Sequence, residues 1–288
     1  VQARRNERPA LIQTADTRIE GMNRSRLDPA FDVSSSSMEG NLQPDPLRYP
    51  VDKRMTVLRL SELDGTPIGA IVHFTSHPTI LSFKSPYISA DFPGVVCSRI
   101  ESAMGPDSVT LYLNGTLGDT APTPDWQDDV ADEIADMRAY GNQLADSALG
   151  LLDEVQPMTD TGFVAAVSHR KLPDITLAPL WGARMFGRMN HWFVKDNVAT
   201  LQVMRLGKLV MIAIPGEPTT AAGAILKQTC PENLDCIIVA PANGHFGYLI
   251  TPEEYEGDTY AADSCFFGRD IISRLAEGVA ISMAGAIK

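Results

Sequence analysis

The chain has 288 residues, 44% hydrophobic and 21% charged, close to the globular average, which excludes extensive disorder. At this length roughly three quarters of the surface can be buried, enough for one large core. With 24 basic against 36 acidic residues the formal net charge is −12; this argues against nucleic acid as a partner and disfavours flat adsorption on an anionic membrane.

Taken in order, the chain opens Val1-Gln2-Ala3-Arg4-Arg5 with no initiator Met and no apolar signal segment. A cut precursor, a fragment and an engineered start all fit that opening, and the first ten residues or so carry no folding signal. Residues 27–50 are poor in aliphatics and rich in Ser, Asp and Pro, and read as an exposed excursion. Apolar runs at 55–60 and 68–74 flank Asp64-Gly65 and predict a hairpin. A helix is predicted over 94–104, with Val95, Val96, Ile100 and Met104 on one side. A strand at 109–113 runs into Asn114-Gly115-Thr116-Leu117-Gly118-Asp119. Residues 128–154 carry a helical period through Val130, Ile134, Met137, Leu144, Ala148 and Leu152.

A strand is predicted at 163–169. The stretch 173–192 reads as irregular; its Trp181, Met185, Phe186, Met189 and Trp192 suit plain packing, a lid over an acyl chain or an interface. A second hairpin spans 198–206 and 209–214 around Gly207-Lys208. A helix follows over 219–228, then a buried strand at 236–240 and a last helix over 269–286. Hairpins among alternating strands and helices predict an α/β fold, with mixed twisted β-sheets flanked by α-helices, in a single domain over 1–288. No apolar run approaches the 18 residues or so of a transmembrane segment. The cysteines, Cys97, Cys230, Cys236 and Cys265, match no zinc-finger spacing. Cys230 and Cys236 bracket a turn-rich segment that a disulfide could close.

Chemistry in α/β folds sits on the loops after strands. Four such loops carry unusual polar residues: Thr75-Ser76-His77-Pro78, residues 114–119, Pro215-Gly216-Glu217, and Asn243-Gly244-His245-Phe246-Gly247-Tyr248. A His, a Glu and a Tyr offer nitrogen and oxygen donors suited to catalytic zinc, where three ligands and one open position generate a nucleophilic water. Each residue also has a plainer reading. A strand-end His serves as a satisfied structural group, a Glu after Pro-Gly faces a helix dipole, a Tyr packs, and Asp119 closes an Asx turn.

The same residues resemble the neutral (non-lysosomal) ceramidases. The matching segments are Asn23-Arg24-Ser25, residues 51–58 (Val-Asp-Lys-Arg-Met-Thr-Val-Leu), Ile68-Gly69-Ala70-Ile71 with Phe74 and His77, and Ser89-Ala90-Asp91 with Gly94. Further on they are Ile214-Pro215-Gly216-Glu217 with Thr219-Thr220, Tyr248 with Thr251, Glu253, Glu254, Tyr255 and Tyr260, and Phe267-Gly268. They span 23–268 in the family's order. The resemblance implies a Zn2+ cofactor held by His77, Glu217 and Tyr248, and Tyr260 beside the scissile amide. It suggests Arg24 as a substrate-side or structural cation. Gly118 on the substrate side, and Asp119 and His245 as groups orienting water or moving protons, complete the expected site. His73, on the same strand face as His77, reads either as a supporting partner of the site or as a packed histidine, and His169 and His191 receive no assigned role.

Two departures qualify that expectation. Ala121 stands where the family has its serine nucleophile, which favours attack by zinc-bound water or a lost activity over an enzyme-linked acyl group. The family's upstream His-x-His segment is absent, and no His precedes His73. The chain therefore reads as the C-terminal part of a ceramidase-like catalytic domain, either a processed chain completed by a separate N-terminal chain or segment, or a fragment with an incomplete site. The expected function is zinc-dependent hydrolysis of an amide in a small molecule or lipid. The alternatives are an inactive binding protein on the same fold, or a hydrolase of another small amide, lactam or ester. The resemblance also implies a secreted or periplasmic location, in keeping with a Cys230–Cys236 disulfide.

Overall fold

A computed structural model describes residues 2–5, 7–31, 45, 47–82, 84–123, 130–173, 175–177, 183–184, 197–257 and 259–287. Most of the predicted excursion at 27–50, and Trp181, Met185, Phe186, Met189, His191 and Trp192, lie outside the described residues. The described chain packs as two compact units. The first comprises residues 1–23, 53–113 and 121–161, the second 24–52, 114–120 and 162–288.

In the first unit, β1 (Leu11–Arg18) pairs antiparallel with β2 (Arg54–Ser61), and β2 with β3 (Pro67–Phe74). The β2–β3 hairpin turns at Asp64-Gly65 as predicted, with Gly65 at φ +92°. α1 (Asp91–Met104) then crosses over to β4 (Val109–Leu113), which lies parallel to β3. Gly69 is required there, because a Cβ on it would stand 2.1 Å from the Val109 carbonyl oxygen. α1 starts three residues before the predicted boundary, since Pro93 is tolerated in a first turn. α2 (Val130–Asp153) follows, and Met137, Leu144, Ala148 and Leu152 of its predicted apolar face are buried. With Phe92, Val96 and Ile100 of α1 they close a core over Met55, Val57, Val72 and Phe74 of the sheet. β1 falls where no element was expected; its residues stay half exposed or exposed, so it carries little apolar alternation.

The second unit holds β5 (Phe163–Lys171), β6 (Val198–Leu206), β7 (Leu209–Ala213), β8 (Glu217–Pro218), α3 (Thr220–Lys227), β9 (Asp235–Val239), β10 (Tyr248–Leu249) and α4 (Ile271–Ala286). Its main sheet has four strands in the order β9-β7-β6-β5. β6 and β7 form the predicted hairpin, while β7 and β9 are parallel with α3 as the crossover. Leu201, Val203, Val210, Ile212 and Ile238 of the sheet share a core with Ile272, Leu275 and Val279 of α4. A disulfide joins Cys230 to Cys236, closing the loop between α3 and β9. The fold is the mixed α/β arrangement expected. Among the described residues no helix is long and apolar enough to cross a membrane.

Candidate functional site

The parallel strands β7 and β9 deliver two loops past the same end of the second sheet, and each loop leads into a short strand. Those strands, β8 and β10, pair in parallel with Glu217 opposite Tyr248. Glu217 N donates to the Gly247 carbonyl (2.9 Å) and Thr219 N to the Leu249 carbonyl (3.0 Å). Paired residues of adjacent strands share a face, so a carboxylate and a phenol from distant parts of the sequence become neighbours.

Further groups gather on this pair. His245 Nε2 lies 2.8 Å from Glu217 Oε1, while Gly247 N donates to His245 Nδ1 (3.4 Å). Both contacts are met by the neutral ring with its proton on Nε2, a tautomer assigned from these partners. Arg26 Nη1 donates to the Tyr248 hydroxyl (3.2 Å). The Tyr260 ring stands edge-on to Tyr248, with centroids 5.5 Å apart, and is 70% exposed. Burial, and then the Glu217 charge, push the Tyr248 hydroxyl up to about 12 against the opposing pull of Arg26.

Asp119 is 5% exposed. Its Oδ1 accepts from Thr220 N (2.8 Å) and Thr220 Oγ1 (2.9 Å) at the start of α3. Burial pushes its carboxyl up to about 6, although the Thr220 bonds pull it down. Gly118 donates its N–H to the Pro218 carbonyl (3.0 Å), and a Cβ on it would lie 2.6 Å from the Glu217 carbonyl oxygen. Gly118 is thus a close-approach position as well as a wall of the cavity. That cavity, about 340 Å³, is lined by Arg26, Gly118, Asp119, Glu254, Tyr260 and Thr219 among others.

The second unit therefore brings together Glu217, Tyr248, His245, Tyr260, Asp119 and Gly118. His77 belongs to the first unit, half buried in the turn after β3, where its carbonyl accepts from Thr79 N (2.9 Å). Arg24 is half buried between the buried Asn23 and Ser25. Arg26 is the group that sequence reasoning missed; the extended stretch ends at Ser25 and Arg26 lies in the turn that follows, so no periodicity marks it. Ala121 is buried. The Thr120 hydroxyl donates to the Thr116 carbonyl (3.2 Å) and the Thr123 hydroxyl to the Gly21 carbonyl.

A carboxylate oxygen and a phenol oxygen on facing strands fit a zinc ion in donor chemistry, while the two ring nitrogens of His245 are engaged by Glu217 and Gly247 N. Among the described residues no group of three or more His, Cys, Asp or Glu side chains converges on one point, so the phenol is needed for any such set.

The model of a family described as neutral/alkaline non-lysosomal ceramidase, N-terminal, matches residues 1–185 and 183–276. The chain belongs to the neutral/alkaline non-lysosomal ceramidase family. A neutral ceramidase of Mycobacterium tuberculosis is 24% identical over 356 aligned positions, covering 94% of this chain and 54% of that protein. Neutral ceramidase A of Dictyostelium discoideum is 37% identical over 79 residues, 25% of this chain and 11% of that protein. The crystal structure of neutral ceramidase from Pseudomonas aeruginosa superposes with a TM-score of 0.74 at 17% identity, over 97% of this chain and 52% of that one. The chain spans about half the length of the mycobacterial relative and of the solved ceramidase. The resemblance read from the motifs at 23–268 is thereby confirmed as family membership, and the solved structure confirms the fold.

Proposed function

We propose that this chain carries out zinc-dependent hydrolysis of an amide bond, with a ceramide-like lipid or another N-acyl compound as substrate. One observation carries the reading: Glu217, Tyr248, His245 and Arg26 cluster beside Tyr260, which lines a cavity of about 340 Å³. In this proposal Glu217 and Tyr248 hold the metal within the second unit. The assignment of His77 as a further ligand rests on sequence alone. A zinc ion held by Glu217 and Tyr248 would supply polarisation of the amide carbonyl and a lowered pKa, toward about 7, for bound water.

The chain's own groups have separable tasks. Arg26 holds the Tyr248 hydroxyl in place. His245 donates to Glu217 and orients its carboxylate, as outer partners of metal ligands do. Tyr260, exposed and braced against Tyr248, donates a hydrogen bond to the oxygen that gains charge as the amide is attacked. With Ala121 in place of a serine, and Thr120 and Thr123 bonded to carbonyls, water attacks directly and no acyl group passes to the protein. A His-x-His segment from elsewhere would complete the donor set, and the Cys230–Cys236 disulfide supports a secreted or periplasmic location.

Ala121 also favours a second reading, a binding protein that keeps the fold and the pocket without turnover. Incubation with ceramide and short N-acyl amides, with zinc supplied and then chelated, separates the two. Turnover that disappears on chelation and in Glu217→Ala supports the hydrolase. Substrate binding without turnover supports the binding protein, and a protein that takes up no zinc even with a His-x-His segment supplied sinks the zinc-dependent hydrolase.

A further inference from the structure

The motif around Tyr248 contains an acid that the proposed chemistry does not use. Glu254 sits in the helical turn Pro252–Tyr255, capped by Thr251, whose side chain accepts from Glu254 N (3.2 Å). In a capping box the acid returns a bond to its own cap, and Glu254 Oε2 does so by accepting from Thr251 N (2.8 Å). The same Oε2 also accepts from the Thr219 hydroxyl (2.8 Å). Thr219 is itself the cap of α3, its Oγ1 accepting from Ala222 N (3.2 Å). One carboxylate oxygen thus joins the caps of two helices. Those caps come just after β8, which carries Glu217, and just after β10, which carries Tyr248.

We infer that Glu254 is a positioning residue that sets the spacing of Glu217 and Tyr248. β8 and β10 are only two residues long, and the register between them rests on few main-chain bonds. Such a short ladder does little to resist slipping or splaying, because each hydrogen bond contributes only about 1 kcal/mol net. The Glu254 bridge ties the residue after Pro218 to the second residue after Leu249, so the ladder is closed at its downstream end. Glu254 also lines the cavity, which makes it part of the wall whose geometry it fixes.

The role depends on an acceptor at a given reach, and it does not depend on charge. Glu254→Gln keeps an oxygen able to accept both bonds. Glu254→Asp keeps the charge but is one methylene too short to span both donors. Glu254→Ala removes the bridge. The functional part of this inference rests on the zinc reading above; the bridge itself does not.

The test measures zinc affinity of the full 288-residue chain by competition with a chromophoric chelator, and amide hydrogen exchange at Glu217 and Thr219 without metal. The expected result is a loss of about tenfold or more in zinc affinity for the Ala and Asp variants, with faster exchange at both amides, and near wild-type values for Gln. Wild-type affinity in Glu254→Ala, alongside lost binding in Glu217→Ala, overturns the positioning role and leaves the zinc site standing. No zinc uptake by the wild type even with a His-x-His segment supplied, or unchanged uptake in Glu217→Ala, overturns the zinc reading and the functional role with it. Unchanged exchange in both the Ala and Asp variants overturns the bridge. A Gln variant as weak as Ala shows that charge is required and also overturns it.

Discussion

The Glu217 carboxylate is held by the His245 imidazole at 2.8 Å, although 28 residues separate them. The His245 side chain is 52% exposed, so the contact adds less than about 1 kcal/mol to stability. In the proposed zinc site its task is to orient Glu217. His245→Ala should leave thermal unfolding almost unchanged while zinc affinity falls about tenfold or more. Calorimetry paired with a chelator-competition titration reads both quantities. Equal zinc affinity in variant and wild type would remove His245 from the site.

Tyr260 is predicted to act through its hydroxyl alone. Its ring braces Tyr248 and is largely exposed, so Tyr260→Phe should fold and melt like the wild type. If the hydroxyl meets the developing oxyanion, kcat on an N-acyl amide falls about a hundredfold or more while KM stays within about a factor of two. A change confined to KM would place Tyr260 in substrate binding instead.

Asp119 makes a pH-dependent prediction. Its carboxyl is pushed from 3.8 up to about 6 by burial. The folded chain then holds the proton more tightly than the unfolded one. The resulting stabilisation is complete below about pH 4 and is lost as pH rises through about 6, a cost of roughly 3 kcal/mol by pH 7. Asp119→Asn retains an oxygen for both Thr220 donors and cannot ionise. Denaturant unfolding should show the variant gaining on the wild type by up to roughly 3 kcal/mol between pH 4 and 7. A difference that stays flat with pH would contradict the raised carboxyl.

The Cys230–Cys236 disulfide closes a loop with a sequence separation of 6. Chain-entropy arguments assign so short a loop about 2 kcal/mol. Cys230→Ser combined with Cys236→Ala should lower the unfolding free energy by about that amount in urea titrations, with the zinc site unaffected. Loss of zinc binding in the double variant would mean that the disulfide also supports the β7–β9 loops.

What could be read from the sequence was local or repeated in a motif. The two hairpins were visible because Asp64-Gly65 and Gly207-Lys208 each sit between apolar runs, and α2 because its period is long. Glu217 and Tyr248 were found through motif order. Arg26 and Asp119 were harder, since their partners lie 222 and 101 positions away and neither contact leaves a local pattern. Asp119 was read either as orienting water or as closing its own turn, and its bonds to Thr220 at the start of another helix could not be seen in the sequence. Gly118 was read as facing substrate, and the backbone contact that forbids a side chain there is invisible without the fold. β1 escaped notice because a strand with little buried surface has little alternation to show.

The 222-residue separation of Arg26 from Tyr248 has a consequence for biosynthesis. At about 5–20 residues per second, Arg26 leaves the ribosome on the order of 20 s before its phenol partner exists. Asp119 likewise waits for Thr220. All segments of the first unit lie at or before residue 161 and leave the ribosome within that interval. The cavity wall in the second unit is therefore assembled late, and until then its cation and its buried acid depend on water or a chaperone for company.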